Sequence, residues 1–177
     1  MNPGERGEIT VTAAGAGERP VIANLMQLYT HDFSDFWFDR PEGELEPDGR
    51  FADYPLDPWW SDPDCVPLLV RVGGRLAGFA LLNATSHSGR PVDRNMAEFF
   101  IVRKHRRGGV GAAVARTIFG LYPGVWEAAV ARRNVGALSF WRRAIGGYAR
   151  AEAIEETDHD GPDWNGPILR FRALPPA

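Results

Sequence analysis

Ala97-Glu98-Phe99-Phe100-Ile101-Val102-Arg103-Lys104-His105-Arg106-Arg107-Gly108-Gly109-Val110-Gly111-Ala112 is the stretch whose reading decides the fold. Ala97 to Val102 is apolar apart from Glu98, the pattern of a strand buried inside a sheet. Gly108 to Gly111 then open a segment from Ala112 to Leu121 with Val114, Ile118 and Leu121 at helical spacing, ended by Pro123-Gly124. The first N–H groups of a helix lack partners within it, and the helix dipole adds positive potential there. Glycines let an anion approach the main chain, so the turn reads as a phosphate site, with a plain strand-to-helix connection as the alternative. No Gly-Lys-Ser/Thr follows, which excludes a Walker A loop. Val114 occupies the third glycine position of a dinucleotide fingerprint, which speaks against that site too.

Outward from this stretch the elements fall into order. Glu8 to Thr12 reads as a strand. Pro20 opens a helix with Ile22, Leu25, Met26 and Tyr29 on one face, expected to end near Asp32 and Phe33. Leu68–Val72 and Leu76–Leu82, joined by Gly73-Gly74, predict a hairpin. After the central helix come a strand over 125–131, a helix capped by Asn134 and running to about Ala144, and strands over 148–154 and 168–173. Gly161 to Gly166 reads as a turn, though its Trp164 could also line a cleft. The expectation is one α/β domain spanning 1–177.

Charge is distributed unevenly. The net value is −3, but eleven acids and two bases lie between His31 and Asp64, a local −9 that leaves +6 elsewhere. Part of that excess is the run Arg103 to Arg107, whose length suits a phosphorylated cofactor better than a nucleic-acid face. Residues 32–66 form a long, acidic, aromatic-rich loop with short helical turns. Such a loop is a candidate acceptor-binding lid for a cationic partner, or else a solvated cover for the sheet. With no long apolar window and no leader-like start, the expectation is a cytoplasmic protein that binds neither membrane nor nucleic acid. Cys65 is the single cysteine, so no disulfide framework or cysteine-rich metal site is expected, and it reads as a bland thiol before a nucleophile. His31, His87, His105 and His159 have no metal spacing and read as surface or capping residues before bases.

Arg106-x-x-Gly109-x-Gly111 resembles the acetyl-CoA pyrophosphate loop of the GNAT superfamily. Asn134-x-x-Ala137-x-x-Phe140-Trp141 is similar to the second half of the same family's pattern. The likeness covers Leu68 to Tyr148. Leu28-Tyr29-x-His31-Asp32-Phe33-Ser34, Glu98-Phe99-Phe100 and Pro123-Gly124-x-Trp126-Glu127 look like a GNAT branch whose acceptors are generally unassigned.

The resemblance implies a mixed, mostly antiparallel sheet of six or seven strands, splayed between the fourth and fifth, with about four helices. It implies an acyltransferase that uses acetyl-CoA and no metal. Backbone N–H groups of Arg107, Gly108, Gly109, Val110, Gly111 and Ala112 would bind pyrophosphate beside Arg106. Ile101, Val102 and Arg103 would pair with the pantetheine arm, steadied by Asn134 and flanked by Ala137, Phe140 and Trp141. Ile101 or Val102 N–H would stabilise the oxyanion.

An amine of pKa about 10.4 arrives protonated and needs a base. Glu98 is expected to be that base if it faces the cleft; a charge on an exposed strand face is the alternative. Trp141 stands where the family often has an acidic Tyr, so water, Tyr148 or no protein acid would serve the departing thiol. The acceptor would meet His31, Asp32, Asp35, Phe36, Trp37, Trp60 and Glu98, and a small cationic amine is expected. A protein N-terminus or lysine, and a non-catalytic acetyl-CoA sensor, are the alternatives. A homodimer is a further possibility that the family suggests.

Overall fold

The computed structural model describes residues 7–36, 41–161 and 164–176. Seven strands form one sheet: β1 (Ile9–Ala13), β2 (Val66–Val72), β3 (Arg75–Asn83), β4 (Arg94–Ile101), β5 (Gly124–Ala129), β6 (Ala151–Asp160) and β7 (Asn165–Ala173). Their order is β1-β2-β3-β4-β5-β7-β6. Every neighbouring pair is antiparallel except β4 and β5. The Gly73-Gly74 turn adopts φ of 56° and 74°, as a tight hairpin with the strands' twist requires.

Two helical layers cover the sheet. Helices α3 (Val110–Leu121) and α4 (Val135–Gly146) pack on one face over Val114, Ile118, Phe119, Trp126, Ile145 and Phe171. Helix α1 (Arg19–Ser34) and the single turn α2 (Pro58–Ser61) pack on the other, burying Ile22, Met26 and Trp59 against Leu69, Phe79 and Leu81. Helix α1 outruns its expected end to Ser34, whose Oγ hydrogen-bonds the His31 carbonyl at 2.8 Å. Strand β6 extends well past Ile154, because it is an edge strand with both faces largely exposed and so carries no burial alternation to read. Among the described residues no helix is long and apolar enough to cross a membrane.

Two features of β4 set up the site. It pairs with β5 only at Arg94↔Trp126 and Asn95↔Glu127, and beyond these the two parallel strands diverge. The register against β3 jumps from Leu81↔Glu98 to Leu82↔Met96, so Ala97 is an extra residue on β4. Such a bulge bends the strand and re-aims the side chains beside it. Gly78 lets β3 approach this bent strand, since a Cβ there would lie 2.0 Å from the Phe100 carbonyl oxygen.

Candidate active site

The glycine turn has the geometry that an anion site would need. Arg103–His105 form one 3-10 turn, Arg107 and Gly109 take φ of 63° and 83°, and Gly109 starts α3 with no side chain capping it. The ladder of α3 begins with Ala113 N–H on Gly109 at 3.0 Å, so the N–H groups of Val110, Gly111 and Ala112 emerge from the open helix end. Gly111 also serves packing: a Cβ there would stand 3.2 Å from the Phe140 ring of α4.

Asp32, at the end of α1, is bound by the arginines of this turn. Arg103 donates to it at 2.7 and 3.1 Å, and Arg106 makes a short second ion pair. Burial alone would raise the Asp32 pKa, but the two guanidiniums hold it below the ordinary range. Arg106 also donates to the Ile101 carbonyl at 2.5 Å and lies 5.2 Å over Phe100.

Where β4 and β5 diverge, a cavity of about 1000 Å³ passes through the sheet. On the α4 side it is lined by Phe99, Asn134, Ala137, Phe140 and Trp141, and on the α1 side by Tyr29, Phe33, Phe36, Tyr54, Glu98 and Trp164. Phe99 stacks on Phe140 at 5.6 Å and meets Trp141 edge-on at 5.2 Å, which gives an apolar waist. Glu98 lies at the α1 side of this waist. Its Oε1 accepts from the Tyr54 hydroxyl at 3.0 Å, and the Tyr29 hydroxyl faces the same carboxylate. Burial pushes its pKa up to about 7, against the lowering effect of both phenols. The burial that raises Glu98 also raises both phenols, which therefore stay protonated as donors.

Several sequence expectations need correction. Strand β4 ends at Ile101, and Arg103 belongs to the following turn, so the β4 edge available to a ligand is Phe99 to Ile101. Val102 N–H donates to Ala77 at 2.8 Å and is not available for an oxyanion. Because successive strand amides point to opposite edges, that of Ile101 turns away from β3 toward the opening. The Asn134 side chain accepts from Ala137 N–H at 3.0 Å and caps α4 while its residue lines the cavity.

Tyr148 is not at the cleft. Its hydroxyl donates to the Leu174 carbonyl at 2.9 Å and its ring packs on Phe119, near the Gly124 end of β5, whereas the cavity opens at the Ala129 end. Asp32 is neutralised by arginine, His31 and Asp35 are exposed, and none of the three lines the cavity. Trp60 binds the Ala14 carbonyl at 3.1 Å beside Arg19, at the opposite end of α1 from the cavity. Only Phe36 and Glu98 of the expected acceptor contacts reach it; Trp37 lies outside the described residues. The sequence reading missed Tyr29, Tyr54 and Phe33. Tyr29 looks like one more apolar residue on the buried face of α1, and nothing in residues 41–57 singles out Tyr54 from its aromatic neighbours.

With this geometry in view, the acetyltransferase (GNAT) family matches residues 22–146, most of the chain, and the protein belongs to that family. It is therefore an acyltransferase of the acetyltransferase kind. Solved structures share the fold at low identity. A GNAT-family acetyltransferase from Staphylococcus aureus Mu50 is 9% identical with a TM-score of 0.58, covering 93% of this chain and 98% of that one. The aminoglycoside acetyltransferase AAC(6')-Ib in complex with coenzyme A and kanamycin is 11% identical with a TM-score of 0.60, covering 93% of each chain. A spermidine N-acetyltransferase chimera from Vibrio cholerae and hSSAT is 12% identical with a TM-score of 0.55, covering 95% and 96%. No curated protein matches the chain.

Proposed function

We propose that the protein transfers the acetyl group of acetyl-CoA to the primary amine of a small cationic molecule, by direct attack with both substrates bound. The observation that carries this reading is Glu98, a carboxylate with a pKa near neutrality, sharing one cavity with Phe140 and Trp141 of α4, the helix against whose Phe140 ring Gly111 of the glycine turn packs. The uncapped start of α3, with left-handed Gly109 and the adjacent arginines, fits a pyrophosphate. The aromatic waist suits an uncharged thioester arm. In this assignment acetyl-CoA supplies an activated acyl group, and the chain's residues bind, orient and move a proton.

The amine enters from the Tyr54 side and passes its proton to Glu98. Its lone pair forms the C–N bond at the acyl carbon while the Ile101 N–H steadies the oxygen, and the C–S bond then breaks. An indole is not a usable acid, so the thiol, with pKa about 8.5, leaves as a thiolate and receives through water the second proton that the nitrogen sheds as the amide forms, while Glu98 keeps the first until it is released to solvent. Among the described residues, Phe33, Phe36 and Tyr54 wall the front of the cavity, which favours a small amine over a peptide main chain. The kanamycin complex and the spermidine enzyme among the structural neighbours are consistent with a small amine acceptor.

The test is calorimetric titration with acetyl-CoA followed by thiol release with a panel of amines. Binding with turnover on amines, reduced about 100-fold or more in Glu98→Gln, is the expected result. Binding without turnover on any amine would favour a sensor, and absence of binding would overturn the reading.

A further inference from the structure

Helix α1 grips the segment that precedes α2 at Phe51. Gln27 Nε2 donates to the Phe51 carbonyl at 3.1 Å, and the Phe51 N–H donates to Gln27 Oε1 at 2.9 Å, so one side-chain amide holds both main-chain groups of a residue, as a neighbouring strand would. The His31 ring, one turn further along α1, lies 6.3 Å from the Phe51 ring. Residues 52–56 contain no helix or strand, and among the described residues no main-chain hydrogen bond ties 52–55 to the body of the protein. The next anchors downstream are Leu56, which is buried, and Trp59, against whose ring that of Tyr54 packs at 5.6 Å. Tyr54 is thus suspended between two anchors, three residues beyond the Gln27 clamp, and its hydroxyl crosses to Glu98 at 3.0 Å. Gln27 lies outside the cavity lining, so it reaches Glu98 only through the residues it holds.

An O–H···O hydrogen bond ordinarily spans about 2.5–3.0 Å. The Tyr54 bond stands at the outer edge of that range, and a small outward drift of its segment would break it. Resting on the acetyltransferase reading above, we propose that Gln27 is a positioning residue of the reaction: its clamp on Phe51 keeps the Tyr54 hydroxyl on Glu98 and so lowers the pH above which that carboxylate can accept the proton of the amine. Tyr29 faces Glu98 from α1 and Tyr54 faces it from the clamped segment; Arg132, paired with Asp158, and Arg133 line the same cavity from beyond β5. Gln27 is uncharged, so replacing it by another uncharged residue leaves all of these charges in the chain and changes only what its amide holds. A carboxylate that loses a donor stays protonated to higher pH, because the hydrogen bond favours its charged form.

The experiment titrates Glu98 directly, by carbon-13 NMR of its side-chain carboxyl in the intact protein, the signal being assigned by its loss in Glu98→Gln. Gln27→Met keeps the bulk of the side chain without its donor and acceptor, and Gln27→Ala replaces it should that variant not fold. Tyr54→Phe should raise the midpoint by about 0.7 pH unit, the equivalent of one ordinary hydrogen bond, and Gln27→Met by at least about 0.3. The double variant should titrate with Tyr54→Phe, because the clamp acts through the phenol. The kcat inflection on an amine substrate should move upward in Gln27→Met while the acetyl-CoA Kd stays unchanged. A Glu98 midpoint unmoved in Gln27→Met, or a shift that adds in full to that of Tyr54→Phe, would overturn the inference and leave the acetyltransferase reading standing. Failure to transfer acetyl to any amine, with the NMR shifts as expected, would remove that reading and leave the hold of Gln27 on Glu98 in place.

Discussion

Glu98 is held by opposing effects that can be separated one residue at a time. Burial raises its pKa to about 7, while the phenols of Tyr54 and Tyr29 pull it down. A folded pKa above the unfolded one means that folding favours the protonated acid. Stability is therefore greatest below the unfolded value of 4.5, falls as pH rises through the interval to 7, and is level above it. The gap corresponds to roughly 3 kcal/mol. Glu98→Gln should accordingly be more stable than the parent in denaturant titrations at pH 8, with the difference shrinking toward pH 5, although it is the less active protein. The parent's kcat should rise with pH to an inflection near 7. Tyr54→Phe removes a donor to the carboxylate, so the inflection should move upward, and a shift downward in the kcat profile would contradict the assigned hydrogen bond.

At the level of elements, the site depends on two departures from regularity, the Ala97 bulge in β4 and the left-handed start of α3. Gly109 at φ 83° tolerates what an L side chain resists, at a cost of about 1 kcal/mol for alanine. Gly109→Ala should lose about that much stability and raise the acetyl-CoA Kd by roughly tenfold, read by calorimetry. Gly17→Ala, at a position where a Cβ meets nothing within 4 Å, should leave that Kd unchanged. The ion pairs of Asp32 link the same turn to the end of α1, the element that also presents Tyr29 and Phe33 to the cavity. The glycine turn and the α1 side of the cavity are thus joined through the Asp32 carboxylate.

Across the whole molecule, the opening between β4 and β5 is kept in shape by a buried network on the α1 side. Glu127 of β5, with no exposed surface, accepts from Ser88 Oγ, from the His87 N–H at 2.9 Å and from Arg170 of β7 at 2.9 Å. Burial would raise its pKa, but these partners outweigh it and hold the group ionised. Arg170 in turn donates to the Pro91 carbonyl at 2.6 Å, so one ion pair fastens residues 84–93 to two strands. Glu127→Gln leaves Arg170 largely buried and short of a counter-charge, and should cost about 3–5 kcal/mol, measured by chemical denaturation. Because His87 supports Trp164, acceptor KM should rise in the same variant at temperatures where it remains folded.

The sequence by itself determined the order of strands and helices, the glycine turn and the interrupting acid of β4. Each is written locally, as a 2.0 or 3.6 period, a glycine pair, or one charge in an apolar run. It could not place the loop acids or choose among the aromatics, since a carboxylate's role depends on whether an arginine such as Arg103 or Arg106 lies within reach, 71 and 74 residues away along the chain from Asp32. Tyr54 and Glu98 likewise meet across 44 residues. Tyr148 lies soon after α4, as the sequence suggested, yet at the wrong end of β5 for the cleft. Those outcomes were decided by tertiary packing, because long-range pairing of charges and hydroxyls leaves no period in the chain, and only the folded sheet brings the partners within hydrogen-bonding distance.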